Sequence, residues 1–520
     1  MKTVKGKILW ADDEIDHLKS HILFLEGKGY AVTPVTNAED AISLIKTNHF
    51  DLVLLDEMMA GMDGLQALSQ LQEINPSLPV IMITKSEEEN LMEEAIGGNI
   101  EDYLTKPVNP SQILSSCKRI LEKKQIARAK LTREYTTEFR EISELLTGTM
   151  KPNDWIKIHL KLSERELDLD QHPDLGLCQT LQDQRQECNH AFGRYIEEHY
   201  ENWVNQEQRP ILPVDLVREY VVPPLKAGEK ILFIVIDNLR LDQWLTMEPL
   251  IYDLFSVNRQ YYFSILPTAT PYSRNSLFAG IFPKDIEAKH PKFWKQGEED
   301  DSSRNRFEHP FFIAQLRRYG VALQTEPKYI KLMDTDEAKR VAKNMESLFS
   351  ASIVAMVFNF VDILAHRRSE SEILREIVPD ESAYRSLTRT WFEHSSLFQI
   401  LESAFDAKMK VIITSDHGSI RAMRGSTVYA DKETSTNLRY KFGKSIRGEK
   451  KQVLDIKDPK RYGLPSRGIN TNYLIAKEDF YFVYPTNYHH YLARYRNSFQ
   501  HGGISLEEMI LPVAILEVKK

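Results

Sequence analysis

Three stretches of the sequence share one shape: an apolar, β-branched run that ends on residues able to hold a cation. Lys230-Ile-Leu-Phe-Ile-Val-Ile-Asp237 stops on a carboxylate. Ser352 to Asp362 ends on an acid, with His366 four residues on. Lys410-Val-Ile-Ile-Thr-Ser-Asp416 ends on an acid followed by His417 and Gly418, and a last histidine, His501, precedes Gly502-Gly503. Runs of this kind read as strands buried on both faces, and in open α/β sheets the chemistry gathers beyond the carboxyl ends of the strands. Asp362 and His366 share one face of a helical turn. Asp416 and His417 stand where the chain turns, so both reach one site. Each piece also has an ordinary reading, as a cap, a core histidine or a turn, and it is the combination that points to metal. Carboxylates mixed with imidazoles suit Zn²⁺, with Mn²⁺ or Fe as alternatives.

These six ligands are one short of a two-metal centre holding three and four. Thr270 supplies the seventh. In Pro267-Thr-Ala-Thr270-Pro271-Tyr-Ser-Arg274-Asn275, Thr270 fits an N-cap and Pro271 the first helical position. A helix N-terminus offers free N–H groups to phosphate, and a hydroxyl beside a metal becomes a nucleophile. Thr268 is the competing hydroxyl, in poorer register. Arg274 and Asn275, one turn on, are expected to reach phosphate oxygens.

A second constellation lies near the N-terminus. Asp12 and Asp13 follow the apolar run Lys7–Ala11, Asp56 ends Asp51-Leu-Val-Leu-Leu-Asp, Thr84 ends Pro79-Val-Ile-Met-Ile-Thr, and Lys106-Pro107 follows a short strand at Tyr103. On one edge of a parallel sheet, these give three acids, a hydroxyl and a lysine in one pocket. The acids prefer Mg²⁺, and Asp56 has the chemistry of a phosphoryl acceptor whose new oxygens Thr84 and Lys106 would hold.

The elements that must position these residues fall into three parts. Residues 1–122 alternate short strands with amphipathic helices, a doubly wound α/β sheet. Residues 123–206 carry a helical stripe (Ile126, Leu131, Tyr135, Phe139, Ile142, Leu146) and a second pattern from Leu177 to Trp203, a helical middle expected to transmit and dimerise. No helix-turn-helix pattern stands there, and His172 and His190 read as structural or solvated. Proline pairs near Pro210 and Pro223 lead into residues 207–520, a larger α/β domain. Residues 284–350 and 368–410 read as insertions around its core. His290 and His309 lie there as lid or surface residues.

A net charge of −8 over 520 residues speaks against a protein that coats nucleic acid with its whole surface. Three cysteines without a CxxC pair give no disulfide framework, and no apolar run suits a signal peptide or a membrane span, so a cytoplasmic protein without membrane insertion is expected.

The first part resembles a response-regulator receiver domain, on Asp12-Asp13, Leu55-Asp56-Glu-Met58-Met59, Met62-Asp63-Gly64, Thr84, Tyr103 and Lys106-Pro107; Ala60 stands where such domains commonly carry proline. The resemblance implies a partner histidine kinase that phosphorylates Asp56, and a Mg²⁺ at Asp13, Asp56 and Met58. It also implies a relay through Thr84 and Tyr103 to the face of helix four, strand five and helix five, where receivers pair into a homodimer. The last part resembles the alkaline phosphatase superfamily, and within it the PglZ-type domain. That likeness implies one zinc on Asp362, His366 and His501. It implies a second on Asp237, Thr270, Asp416 and His417, with Thr270 as catalytic nucleophile in an in-line displacement at phosphorus. The join of the two domains through a helical middle resembles response regulators of Bacteroidetes associated with type IX secretion.

Residues 437–470 hold ten Lys or Arg against three acids, with Tyr440, Phe442 and Tyr462 among them. Tyr481, Tyr484, Tyr488, Tyr491 and Tyr495 follow. Basic residues with interleaved rings suit a phosphodiester backbone and stacked bases. The expected activity is a two-zinc phosphodiesterase acting on short or cyclic oligonucleotides. The alternative is a phosphorylation-controlled docking protein for a sigma factor, a secretion component or DNA, with a structural metal centre.

Overall fold

The computed structural model describes residues 4–519 apart from 76–77, 86–99, 173–175, 207, 295–304, 323–324, 431–436, 467, 469 and 487. The chain forms two compact units, residues 1–136 and 137–520.

In the first unit, β1 (Lys7–Ala11), β2 (Ala31–Val35), β3 (Leu52–Asp56), β4 (Val80–Thr84) and β5 (Asp102–Thr105) pair in the order β2-β1-β3-β4-β5, all parallel. Successive residues of a strand face opposite sides, and the apolar runs therefore feed two cores. Leu9, Val53, Leu55 and Met82 pack with Ala41, Leu68 and Leu71 from α1 (Ala38–Thr47) and α2 (Gly64–Ile74). Ile8, Trp10, Leu54 and Ile83 pack on the other face with Ile113 and Cys117 from α3 (Pro110–Leu121). The helix four expected on the output face lies outside the described residues.

A long helix, α4 (Lys123–Leu146), comes next in the chain. It is followed by α5 (Pro152–Gln171) and α6 (Cys178–Asn205). These last two helices do not stand apart as a free bundle but belong to the same compact unit as the C-terminal region. Buried Phe192 and Trp203 pack on Phe263 of the large sheet, and Trp155 packs on Phe192.

That sheet contains β6 (Ile231–Ile236), β7 (Phe255–Phe263), β8 (Lys328–Leu332), β9 (Ile353–Phe358), β10 (Lys410–Thr414) and, from the chain's end, Ile510–Val518. Its central strands run parallel, with Thr414 level with Val235 and Phe358 level with Ile236. Whatever follows β6, β9 and β10 must therefore emerge on one edge. Strand β9 ends four residues earlier than the sequence suggests: Asp362 lies not on the strand but in the first turn of the helix Phe360–Glu370. A short antiparallel ladder sets Ile420 opposite Gln500. It draws the chain before His501 beside the loop Asp416-His417-Gly418. Three-stranded sheets built from residues 424–483 complete the unit.

Candidate metal centre and phosphoacceptor pocket

At the edge of the large sheet, two groups of ligand atoms gather: Asp362, His366 and His501, and Asp237, Asp416 and His417, each group within 4.8 Å. His501 Nε2 is 3.3 Å from His366 Nε2 and 3.7 Å from Asp362 Oδ1. His417 Nε2 is 3.6 Å from Asp237 Oδ1 and 3.8 Å from Asp416 Oδ2. The groups adjoin, because the rings of His417 and His501 stack with centroids 4.4 Å apart.

Thr270 reaches this edge from the helix Thr270–Ala279. Its Oγ1 lies 2.9 Å from His417 Nε2 and 3.5 Å from Asp237 Oδ1. The cap is Ala269 in extended backbone, one residue earlier than expected, so Thr270 is the first helical residue and Pro271 the second. The shift leaves the hydroxyl free of a capping role. Thr268 is otherwise engaged: its Oγ1 donates to Gly503 O and accepts from Gly502 N. Arg274 does not stand ready for phosphate. It is buried and donates to Asp237 Oδ2 and Glu308 Oε1. Asn275 is also buried and donates to Pro271 O.

The donor set fits cations. Both oxygens of Asp416, fully buried, lack a hydrogen-bond partner, and a carboxylate in that state is costly unless a positive charge joins it. Burial pushes Asp416 up to about 6 and Asp237 up to about 7, against the pull of Arg274. Burial lowers His417 and holds His501 well below the usual histidine range. Imidazoles kept neutral in this way are donors for a metal. Burial alone would raise Asp362; His366, His501 and His417 outweigh it and hold the acid low.

Several residues that the sequence reading missed shape the centre. Asn238, at φ 63°, donates to Asp362 Oδ1 across 3.2 Å. An Asn directly after a strand-end acid is the signal, since Asn tolerates the left-handed region. Ser415 and Ser264 hold the Asp-His-Gly loop by accepting from Leu239 N and donating to His417 O and Asp416 O. Several of the aromatic residues are taken up by packing. Tyr440 packs on Tyr272, Tyr462 on Tyr200, and Tyr481 and Tyr491 fill a satellite core, because these small sheets need apolar filling of their own.

In the first unit, Asp12, Asp13 and Asp56 bring ligand oxygens within 4.8 Å. Lys106 Nζ is 2.9 Å from both Asp12 Oδ2 and Asp56 Oδ2. Burial raises Asp56, while the hydrogen bond from Lys106 pulls it down. Buried Thr84 donates to Glu57 in this structure, beside Asp56. The Met58 side chain is exposed.

Comparison with known proteins agrees with this geometry. Residues 8–118 match the response regulator receiver domain and residues 125–204 match the PorX response regulator linker domain. The chain belongs to the PglZ family: residues 216–516, more than half its length, match the BREX system PglZ alkaline phosphatase-like domain. The three matches stand in the order found in the PorX response regulator with a PglZ domain.

Among curated relatives, the transcriptional regulatory protein ZraR of Salmonella typhimurium is 32% identical over 23% of this chain and 27% of its own. ResD of Bacillus subtilis is 32% identical over 24% of this chain and 50% of its own. The chain thus spans half or less of the length of these relatives. A Francisella response regulator 1452 receiver domain is 27% identical with a TM-score of 0.22, covering 23% of this chain and 98% of that one. The protein is thus a response regulator that joins a receiver domain to a PglZ alkaline phosphatase-like domain. Among the described residues, no helix is long and apolar enough to cross a membrane.

Proposed function

We propose that the protein is a response regulator, phosphorylated on Asp56, whose effector is a two-zinc phosphodiesterase with Thr270 as nucleophile. The observation that carries this reading is the Thr270 hydroxyl, set 2.9 Å from His417 Nε2 at a helix N-terminus beside two three-ligand groups. His417 Nδ1 lies 3.2 Å from Gly418 O, which favours the proton on Nδ1 and leaves the Nε2 lone pair directed at the site. Asp362, His366 and His501 would hold one ion and Asp237, Thr270, Asp416 and His417 the other. When bound, the two ions would supply positive charge to the phosphoryl oxygens through the displacement.

Thr270 Oγ gives up its proton and bonds to phosphorus, and the ester oxygen leaves on the opposite side with a proton. Water then cleaves the phosphothreonine. Pro271 has no N–H and those of Tyr272 and Ser273 donate to Ala269 O, so the N–H of Thr270 is the backbone donor at the start of this helix for a phosphoryl oxygen.

The preference for diesters of short or cyclic oligonucleotides rests on the basic small sheets. Lys444, Arg447, Lys450 and Lys451 line an open cleft of about 1150 Å³ with Tyr484. In the same region Tyr440 packs on Tyr272 of the Thr270 helix. Control of type IX secretion, with dimerisation when Asp56 is phosphorylated, completes the reading.

The test compares a chromogenic phosphodiester with the matching monoester, using zinc-loaded wild type and Thr270→Val. Diester turnover that vanishes in the variant while metal content holds supports the reading. Ready monoester cleavage with diesters untouched removes the substrate class. No turnover, with the cellular phenotype intact in Thr270→Val, favours the docking protein.

A further inference from the structure

We infer that Glu508, clamped by Arg439, is the positioning residue that sets the spacing between the two ligand groups; the inference rests on the two-metal reading above. Glu508 lies in the single turn Leu506–Met509, directly after the His501-Gly502-Gly503 loop. It and Arg439 are fully buried. Arg439 donates from Nε to Oε1 across 3.1 Å and from a terminal nitrogen to Oε2 across 2.6 Å. Gly503 N donates to Oε1 at 2.8 Å, and Ser505 Oγ donates to Oε2 at 2.8 Å. A carboxylate has room for about four donors, and here all four places are filled. The backbone carbonyl of the same residue accepts from Gly418 N at 3.1 Å.

One residue therefore grips two loops that serve different groups. Through its side chain it holds the loop that carries His501; through its carbonyl it holds the loop that carries Asp416 and His417. The glycines follow from this arrangement. A Cβ on Gly503 would overlap the Arg439 guanidinium, and a Cβ on Gly418 would overlap Glu507 O. Each loop is drawn in closer than any other residue allows. An ordinary buried ion pair needs neither glycine nor a hold on both loops.

The neighbouring Glu507 provides an internal control. It is equally buried, yet its side chain binds Arg185 and Asn189 of α6 and no ligand loop. In Glu508→Gln, an amide NH₂ replaces one acceptor and turns a donor toward donors, while the carbonyl hold on Gly418 remains. Only the His501 side should then loosen.

The experiment is zinc titration by calorimetry against a competing chelator on wild type, Glu508→Gln and Glu507→Gln, with melting temperatures of the same samples. Wild type is expected to bind two zinc ions. Glu508→Gln should weaken one of them about 10- to 100-fold, the size seen when a group that orients a ligand is lost, and leave the other alone. The same substitution on a His366→Ala background should change nothing further. Glu507→Gln should lower the melting temperature yet keep both affinities.

Unchanged affinities in Glu508→Gln would overturn the inference, as would equal weakening of both sites in both variants. If Glu508→Gln does not fold, Ser505→Ala, which removes one donor to Oε2, is measured the same way. A selective weakening of one site supports the inference there, and none overturns it. Wild type that binds no zinc removes the two-metal reading itself, and this inference with it.

Discussion

The two ionic sites of this protein solve the same electrostatic problem in opposite ways. In the receiver, three acids crowd together, and the chain supplies its own cation: Lys106 sits 2.9 Å from two of them. Asp13 stays exposed, so one side of the pocket is open to water. In the PglZ centre, Asp416 has neither a hydrogen-bond partner nor exposure, and Arg274 reaches its Oδ2 only at 4.0 Å. A pocket read as taking on and losing a phosphoryl group is built with a permanent cation and an open side. A centre read as holding two ions is left short of positive charge, and its ligands are fixed by buried loops.

The largest expected effect separates the two sites. Thr270→Val should lower diester turnover by about 10³-fold or more, yet accept phosphoryl from acetyl phosphate on Asp56 as wild type does. Phosphoprotein electrophoresis beside the diester assay checks both. Loss of both activities would mean that the sites are not chemically independent.

Metal removal should come next. Stripping zinc is expected to cost the second unit about 3–4 kcal/mol, the linkage expected for ligand at 100 to 1,000 times its Kd, and to leave the receiver transition in place. Calorimetric scans with and without a zinc chelator read this. A receiver that falls equally would contradict the contrast.

Lys106→Ala removes the receiver's own cation. Buried Asp12 and Asp56 then lose their partner, so the receiver should lose about 1–3 kcal/mol, and Mg²⁺ should restore more of it than in wild type. Denaturant curves at several Mg²⁺ concentrations test the point.

The smallest effect per step is in pH. His159 in α5 is buried with neither ring nitrogen bonded, and burial lowers it to about 3; Arg185 opposes its charge, Glu507 and Asp242 favour it, and Arg240 opposes it. The unfolded chain takes up this proton near pH 6.5, before the folded one does. Its contribution is complete above about 6.5 and is lost as pH falls from there to about 3, at about 1.4 kcal/mol per pH unit. The described receiver histidines, His17, His21 and His49, are all at least partly exposed. Acid should therefore lower the second unit's transition more steeply than the receiver's, and His159→Leu should flatten that slope in urea curves taken from pH 7 to 5.

Much of both sites was legible from strand ends. An apolar run that stops on an acid fixes a side chain to a sheet edge, and parallel pairing aligns those edges. Asp12, Asp56, Asp237 and Asp416 follow from local pattern alone. His366 follows from helical spacing. The parts that were not legible depend on contacts across long chain separations. Arg274 looks like a phosphate ligand until Asp237 and Glu308 are seen to hold it. Nothing near Glu508 in the chain announces Arg439, sixty-nine residues earlier. The tyrosines of residues 481–495 have one composition whether they stack on bases or fill a core, and only their burial distinguishes the two.

The helices before the PglZ region have a practical consequence for anyone who cuts this chain. Arg185 pairs with Glu166 and Glu507, and Arg385 pairs with Glu166, Asp170 and Asp242, all within the second unit. A fragment that began at the PglZ boundary would leave Arg385 and Glu507 facing a missing wall, with Glu507 in the turn Leu506–Met509 that follows the His501 loop. Breaking a buried pair costs about 3–5 kcal/mol, so such a fragment would enter solution with a frayed floor under its own reaction centre. The shortest piece that can be expected to stand alone begins no later than Thr137, because Arg165 of α5 pairs with Glu138 and Gln184 of α6 donates to Phe139 O.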